Sequence, residues 1–346
     1  MKKTINFAAL QRAAIAVSAV VIIAFFAACA EDDDNTNTTN NNTGTAGKWT
    51  LLSDSPFGSD SVKSVAWGGG KFVAVGSFGK IAHSSDGKNW TAVSPTPFGN
   101  NDINCVSFGN GKFMAGGSGG RLAFSDDGGE SWTLVATSGF NTSEINGAAW
   151  GADKWVAVGR TRIAYSNAEG TTWTGASSNT PFDFGQGSPP LIDVVFGDNR
   201  FVMVGQAGGQ GHGSSLAYSN TGINNAWTSV LTEALITDGL VSVTYGNGKF
   251  VTFSQTKILY SANGADWLAA ATTPLALDVQ LTGVAAGNGK FTAVGYNDAI
   301  IDSTDGITWS IQEGISFNKH FNDIAFGDGT WVAVGMSGAI AYLEDK

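Results

Sequence analysis

The chain has 346 residues, a formal net charge of −10 and only 14% charged residues. Its length allows one large repeat fold or two ordinary domains, and its acidity disfavours binding to the phosphate backbone of nucleic acids. Two cysteines and three histidines are too few for a disulfide framework or a zinc cluster. We therefore expect no metal, no other cofactor and no nucleic-acid partner.

The N-terminus has the pattern of an export signal. Lys2, Lys3 and Arg12 precede an apolar run over residues 13–28, and this order is typical of a secretory signal peptide. The run ends in Phe26-Ala27-Ala28-Cys29, which resembles a bacterial lipobox. The resemblance implies that residues 1–28 are removed and that Cys29 is lipidated. A plain signal peptide and an uncleaved N-terminal anchor remain the alternatives.

A polar segment follows the cysteine. Residues 29–47 are rich in Asp, Asn, Thr and Gly, so they cannot bury enough apolar surface to offset the entropy of ordering, and we expect a flexible tether. The lipid on Cys29 would then hold a folded domain, residues 48–346, to a membrane of the bacterial cell envelope. Ala30 and Glu31 lack the Asp that retains some lipoproteins at the inner membrane, which favours the outer membrane.

The rest of the chain is one repeated unit of about 43 residues, the length of a propeller blade. Each copy has an apolar strand, a tight turn, a segment like "KFVAVG", a segment like "IAYS" and a turn that ends in Trp. The closing tryptophans are Trp90, Trp132, Trp173, Trp227, Trp267 and Trp309. The seventh copy lacks its Trp, and Trp49 stands alone one repeat before Trp90. The pattern predicts an all-β, seven-bladed β-propeller, closed by an N-terminal strand that pairs into the last blade.

The last turn of each unit carries a family resemblance. Residues 125–132 read Ser-Asp-Asp-Gly-Gly-Glu-Ser-Trp and match the Asp-box pattern S-x-D-x-G-x-x-W. The folded part therefore resembles Asp-box (BNR) propellers of the sialidase-like and photosynthesis-assembly-factor-like kind. In such propellers the box is a structural hairpin, in which the carboxylate binds turn amides and the Trp packs between sheets. The resemblance thus indicates a fold more than a function.

Charged residues recur at two positions that we expect on one face of the propeller. Basic residues precede the third strand of several blades, as Lys80, Arg121, Arg162 and Lys257, with Arg160 close by. Acids precede the first strands, as Asp60, Asp102, Glu144, Asp238 and Asp323. The arginines could form a site for a carboxylate or a phosphate, because guanidinium binds both bidentately. The alternative is that both rows are solvated turn residues.

Loops supply the remaining candidates. A Phe recurs in the loops between blades, as Phe57, Phe98, Phe140, Phe182 and Phe317, and it could bind a ligand or, as we favour, anchor the loop. Two insertions interrupt the fourth unit, and long loops on a rigid repeat are common binding sites. Candidate ligand-binding residues there are Phe182, Asp183, Phe184, Gln186 and His212. A neutral insertion is the alternative.

We found no complete catalytic set. The Arg-Ile-Pro signature of sialidases is absent, as are G-x-S-x-G, HExxH and P-loop motifs. We therefore expect a non-catalytic, monomeric, lipid-anchored binding propeller that recognises a protein or a glycan. One alternative is a divergent glycoside-acting enzyme that uses Glu144 or Asp183, and another is an assembly factor for a membrane complex. Cys105 alternates with apolar residues and is expected to be buried.

Overall fold

The computed structural model describes residues 47–160, 162–175, 189–207, 214–223, 225–230, 235–236, 238–271 and 279–345. These residues form seven four-stranded antiparallel sheets, which we number as blades 1 to 7 from the first complete repeat. Each sheet runs from an inner strand A through B and C to an outer strand D. The predicted seven-bladed β-propeller is confirmed.

The strands are short and recur in the same order in every blade. The A strands of blades 1 to 7 are β2 (Val62–Gly68), β6 (Ile103–Gly109), β10 (Ile145–Gly151), β14 (Leu191–Gly197), β18 (Ser242–Gly246), β22 (Leu281–Gly287) and β26 (Phe321–Gly327). The B strands are β3 (Lys71–Gly76), β7 (Lys112–Gly117), β11 (Lys154–Gly159), β15 (Arg200–Ala207), β19 (Lys249–Phe253), β23 (Lys290–Gly295) and β27 (Thr330–Gly335).

The outer two strands complete each blade. The C strands are β4 (Ile81–Ser84), β8 (Leu122–Ser125), β12 (Arg162–Ser166), β16 (Ser214–Ser219), β20 (Ile258–Ser261), β24 (Ile300–Ser303) and β28 (Ile340–Glu344). The D strands of blades 1 to 6 are β5 (Thr91–Val93), β9 (Thr133–Leu134), β13 (Trp173–Gly175), β17 (Thr228–Ser229), β21 (Leu268–Ala269) and β25 (Ser310–Ile311). Two short 3-10 turns, Ser77–Gly79 and Ser118–Gly120, follow the first two B strands.

The ring closes as predicted. The D strand of blade 7 is β1 (Thr50–Leu51), which pairs antiparallel with β28 through Thr50 opposite Tyr342 and Leu51 opposite Ala341. Trp49 is only 4% exposed and packs into the core of blade 7. The last sheet therefore contains both ends of the folded part, which ties them together and leaves only the short strand β1 at its outer edge.

Local sequence explains the strands and turns. The B strands are buried along nearly their whole length, as in the pattern of β3 and β7, because they lie between neighbouring blades. Asn110 and Gly111 both have positive φ, 48° and 72°, the geometry of a type I′ hairpin turn between A and B. Cys105 is a free thiol and is 6% exposed, which confirms its predicted burial.

The loops divide between two faces. B–C loops and D–A loops meet on one side, where a Cβ at Gly79 would lie 2.1 Å from the carbonyl oxygen of Gly99. We call this side the loop face. A–B turns and C–D turns meet on the other side, which we call the turn face. There Asn110 donates to the carbonyl of Ala168 at 3.1 Å.

Candidate functional site

Most residues of the predicted basic row form hydrogen bonds with the loop that precedes their own blade. Lys80 Nζ donates to the carbonyl of Phe57 at 3.0 Å and pairs with Asp60 at 2.7 Å. Arg121 Nη1 donates to the carbonyl of Pro97 at 3.0 Å. Lys257 Nζ likewise donates to a carbonyl of the loop ahead of blade 5. These cations already have a structural partner, so the structure does not bring them together as one anion site.

Arg160 and Glu144 behave differently. Both side chains are exposed, and both line a depression of about 370 Å³ on the loop face at blades 2 to 4. The backbone N–H of Arg160 donates to the carbonyl of Glu144 at 3.3 Å. Within the described part of the chain, neither side chain forms a hydrogen bond or an ion pair. Arg162 begins strand β12 and is not among the residues that line this depression.

Amide side chains line the depression and the adjoining end of the central channel of the ring, which we call the channel mouth. They occupy the second position of the A strands and donate to the first carbonyl of the next blade. Asn146 Nδ2 donates to Leu191 at 2.8 Å, and Asn104 Nδ2 donates to Ile145 at 3.2 Å. On the other side of the ring, Asn322 donates to Val62 at 2.8 Å. These bonds join neighbouring blades and fix the rim of the mouth.

The other predicted site residues are distributed as follows. Phe57, Phe98 and Phe140 are at most 1% exposed, so they anchor the loops. Asp102 pairs with Lys63 at 2.8 Å and accepts the N–H of Phe78 at 2.9 Å. Six candidates lie outside the described residues: Cys29, Phe182, Asp183, Phe184, Gln186 and His212.

One prediction about the acid row was wrong. Asp323 does not precede the first strand of blade 7 but lies inside β26. It lines the central channel, a cavity of about 410 Å³ that also contains Asp193 of blade 4. Asp323 was assigned from the local sequence pattern, whereas its position inside the strand and facing the channel follows from the register of β26 in the ring.

Asp193 and Asp323 make the same contacts in two blades. Asp323 Oδ2 accepts the hydroxyl of Ser64 at 2.8 Å and the N–H of Val65 at 3.0 Å, both in the next blade. Asp193 Oδ2 accepts the hydroxyl of Ser242 at 3.2 Å and the N–H of Val243 at 2.9 Å. Each carboxylate therefore joins its own blade to the following one.

Both aspartates are half-buried and line the channel. The pKa of Asp193 is raised to about 7, mainly by burial and also by the charge of Asp323, against the hydrogen bonds from Val243, Val194 and Ser242 that favour the carboxylate. Burial raises the pKa of Asp323 to about 6, against the bonds from Val65, Ser64 and Ile324. Desolvation disfavours the charged form of a carboxyl group. In both aspartates this effect is larger than the stabilisation of the carboxylate by its hydrogen-bond donors.

A three-residue pattern accommodates each acid. The equivalent position reads Gly147, Asp193, Ser242 in blades 3 to 5 and Gly283, Asp323, Ser64 in blades 6, 7 and 1. A Cβ at Gly283 would lie 2.8 Å from Cα of Asp323, and one at Gly147 would lie 3.0 Å from Cα of Asp193. An alignment of the seven repeats at this position would have revealed the pattern, which the sequence analysis missed.

Carboxylates on the turn face have a structural role. Asp127 Oδ1 accepts the N–H groups of Glu130 and Ser131 at 3.0 Å each, and Trp132 Nε1 donates to Gly129 at 3.1 Å. Burial opposes ionisation of Asp127, but the hydrogen bonds from Ser131, Ser125 and Glu130 lower its pKa to about 2. Asp86 has a pKa of about 2 for the same reasons. These carboxylates already accept hydrogen bonds from the backbone N–H groups of their own turns.

Two kinds of feature are absent from the described part of the chain. Its residues contain no group of three or more His, Cys, Asp or Glu side chains that could hold a metal ion. They also contain no helix long and apolar enough to cross a membrane.

Comparison with known proteins supports the fold. The family described as the DUF6242 beta propeller domain matches residues 2–174. No curated protein matches the chain.

Several solved structures share the architecture over most of the chain. YCF48 from Cyanidioschyzon merolae is 14% identical, with a TM-score of 0.66 over 86% of this chain and 98% of its own. YCF48 bound to D1 peptide is 16% identical, with a TM-score of 0.67 over 87% of this chain and 97% of its own. A catalytically inactive virginiamycin B lyase from Staphylococcus aureus with quinupristin is 10% identical, with a TM-score of 0.70 over 86% and 99%. At these identities the likeness concerns the fold alone.

Proposed function

The chain belongs to the DUF6242 beta propeller domain family, and from this premise we propose that it is a non-catalytic binding protein that recognises a protein partner at the channel mouth on its loop face. One contrast carries the proposal. Lys80, Arg121 and Lys257 are all bound to loop carbonyls, whereas Arg160 and Glu144 lie in a depression with no partner among the described residues. Charged groups that do not stabilise their own fold are available to a ligand.

The surroundings support a binding role. The depression has a volume within the range of ligand sites, and interblade hydrogen bonds hold its rim rigid. A rigid rim reduces the ordering cost of association. YCF48, a propeller of similar fold, has been solved with a D1 peptide, which makes a protein segment a reasonable ligand class for this architecture.

Photocrosslinking in the native host tests this proposal. A photoreactive residue replaces Gln206, which lines the depression, in the full chain, and a matched one replaces Asp126 on the turn face. We expect a discrete protein adduct at position 206 that weakens with Arg160→Gln, and none at position 126. An adduct of carbohydrate mass would favour a glycan ligand, and equal labelling at both positions would contradict the proposal.

Turnover separates binding from catalysis. If the depression binds without reaction, the partner recovered from the adduct is chemically unchanged after incubation with the full chain. Cleavage of that partner, or of a glycan substrate, in a manner that requires Glu144 would instead establish the divergent-enzyme alternative.

We also propose that the propeller is anchored through a lipid on Cys29. The support is the lipobox-like sequence at residues 26–29 and the polar segment that follows it. Metabolic labelling with a palmitate analogue tests the anchor. The full chain should be labelled and should fractionate with membranes, and Cys29→Ser should abolish both. Unlabelled but secreted protein would indicate a plain signal peptide.

A further inference from the structure

We infer that the depression at the channel mouth binds a polypeptide segment that carries a basic and an acidic side chain close together, with Glu144 pairing the basic group and Arg160 pairing the acidic group. This inference rests on the proposed function and specifies the chemistry of the partner.

The two charges are close along the backbone but do not neutralise each other. Their main chains are hydrogen-bonded at 3.3 Å, and both side chains line the same depression. Elsewhere on the loop face, opposite charges form closed pairs: Lys80 with Asp60 at 2.7 Å, and Lys63 with Asp102 at 2.8 Å. A guanidinium and a carboxylate that stay apart in one depression can each take a ligand group of opposite charge.

Amide groups that line the same depression match a peptide main chain. Asn146 uses its Nδ2 to bind the carbonyl of Leu191, and no described residue donates to its Oδ1. Gln206 lines the same depression, and its backbone N–H is bound to the carbonyl of Pro190 at 2.9 Å. Side-chain amides both donate and accept, as peptide N–H and C=O groups require.

Other ligand classes fit the depression less well. A neutral glycan would leave the charges of Arg160 and Glu144 uncompensated, and a simple anion would be attracted by Arg160 but repelled by Glu144. A volume of about 370 Å³ accommodates a short segment rather than a folded domain. A segment with both charges offers an opposite charge to each of the two charged residues that line the described part of the depression.

Four sets of short peptides test the inference with the full chain in detergent. The peptides have blocked termini and differ only at two positions, which hold Lys and Asp, Lys and Asn, Gln and Asp, or Gln and Asn. Each set is made with one to four intervening glycines, so that the distance between the two variable side chains is varied. Binding is measured by fluorescence anisotropy.

We expect the Lys and Asp peptide to bind best, with each charge contributing about tenfold in Kd, the effect of one charge-assisted hydrogen bond. Arg160→Gln should remove the preference for Asp over Asn and keep the preference for Lys. Glu144→Gln should do the reverse. Arg162→Gln, two residues from Arg160 and outside the depression, is the matched control and should change neither preference.

The possible failures are distinguishable. Equal binding of all four peptides at every spacing, or preferences that survive both Arg160→Gln and Glu144→Gln, overturns the inference. If crosslinking at position 206 still yields a protein adduct, the proposed function stands without this chemistry. Absence of both adduct and peptide binding overturns both. Competition by free lysine and aspartate as strong as by the linked peptide would indicate free amino acids rather than a polypeptide.

Discussion

Asp193 and Asp323 lie three blades apart at equivalent positions of their inner strands, and each carboxylate binds a Ser hydroxyl and a backbone N–H of the next blade. The two residues line the same channel and are close enough for the charge of one to raise the pKa of the other. The interior of the ring is therefore held together by acids that are costly to ionise.

This relationship predicts an unusual dependence of stability on pH. In the unfolded chain both aspartates lose their protons near pH 4, whereas in the folded chain they keep them up to pH 6 to 7. Between these limits the folded state binds more protons, so the free energy of unfolding should fall as pH rises from about 4 to about 7 and then level off.

Asp86 and Asp127 act in the opposite direction and in another window. Their folded pKa of about 2 lies below the unfolded value, so their stabilisation is complete above about pH 4 and is lost as pH falls towards 2. The midpoint of urea unfolding should therefore be highest near pH 4. Asp193→Asn with Asp323→Asn should abolish the slope between pH 4 and 7, and a slope that persists in that variant would contradict the assignment.

A strained residue on the loop face gives a second prediction. Phe78 has φ 58° and is 58% exposed, whereas the equivalent positions of blades 2, 6 and 7 hold Gly119, Asn297 and Ser337. Because the left-handed region costs a bulky L-residue about 1–2 kcal/mol and Asn less, Phe78→Asn should raise the free energy of unfolding by about 1 kcal/mol. Phe78→Ala keeps the strained Cβ and should be neutral. Equal effects of both would indicate that the ring, not the backbone, matters.

The closing strand gives a third prediction. Trp49 is 4% exposed and packs with the core of blade 7, so Trp49→Ala should lower the free energy of unfolding by about 3–5 kcal/mol, as for other buried Trp truncations. Leu268 lies on the outer strand of blade 5 and is 58% exposed. Leu268→Ala is the control and should change stability by no more than about 0.5 kcal/mol. If Trp49→Ala lowered the free energy of unfolding no more than Leu268→Ala does, ring closure would not depend on Trp49.

Steric fit in the channel gives a fourth prediction. A Cβ at Gly283 would lie 2.8 Å from Cα of Asp323, closer than non-bonded carbons approach. Gly283→Ala should therefore destabilise the protein by about 1–3 kcal/mol, typical of overpacking. At Gly147 the corresponding distance is 3.0 Å, and Gly147→Ala should cost less. Urea unfolding at pH 7 measures the free energy of unfolding of both variants. An unchanged value for Gly283→Ala would show that the neighbouring blades can move apart.

The architecture could be predicted from local sequence patterns. Apolar alternation, hairpin turn residues and the tryptophan at the end of each unit are local properties, and together they predicted strands, seven blades and a closing strand near Trp49. The burial of Cys105 also followed from its place in an alternating strand. The strands and turns depend on residues close together in the chain, and the closing strand follows from the repeat pattern, because the orphan Trp49 at the start complements the missing Trp of the last unit.

Which candidate residues remain available to a ligand depends on how the loops of neighbouring blades pack in the ring. Lys80, Arg121 and Arg160 all lie between the second and third strands of their blades, yet the first two bind loop carbonyls, whereas Arg160 lines a depression with Glu144 and has no partner among the described residues. The partners come from loops whose paths the repeat pattern does not specify. Likewise, Asp193 and Asp323 line one channel only because seven blades close into a ring and bring residues far apart in the chain to the same cavity.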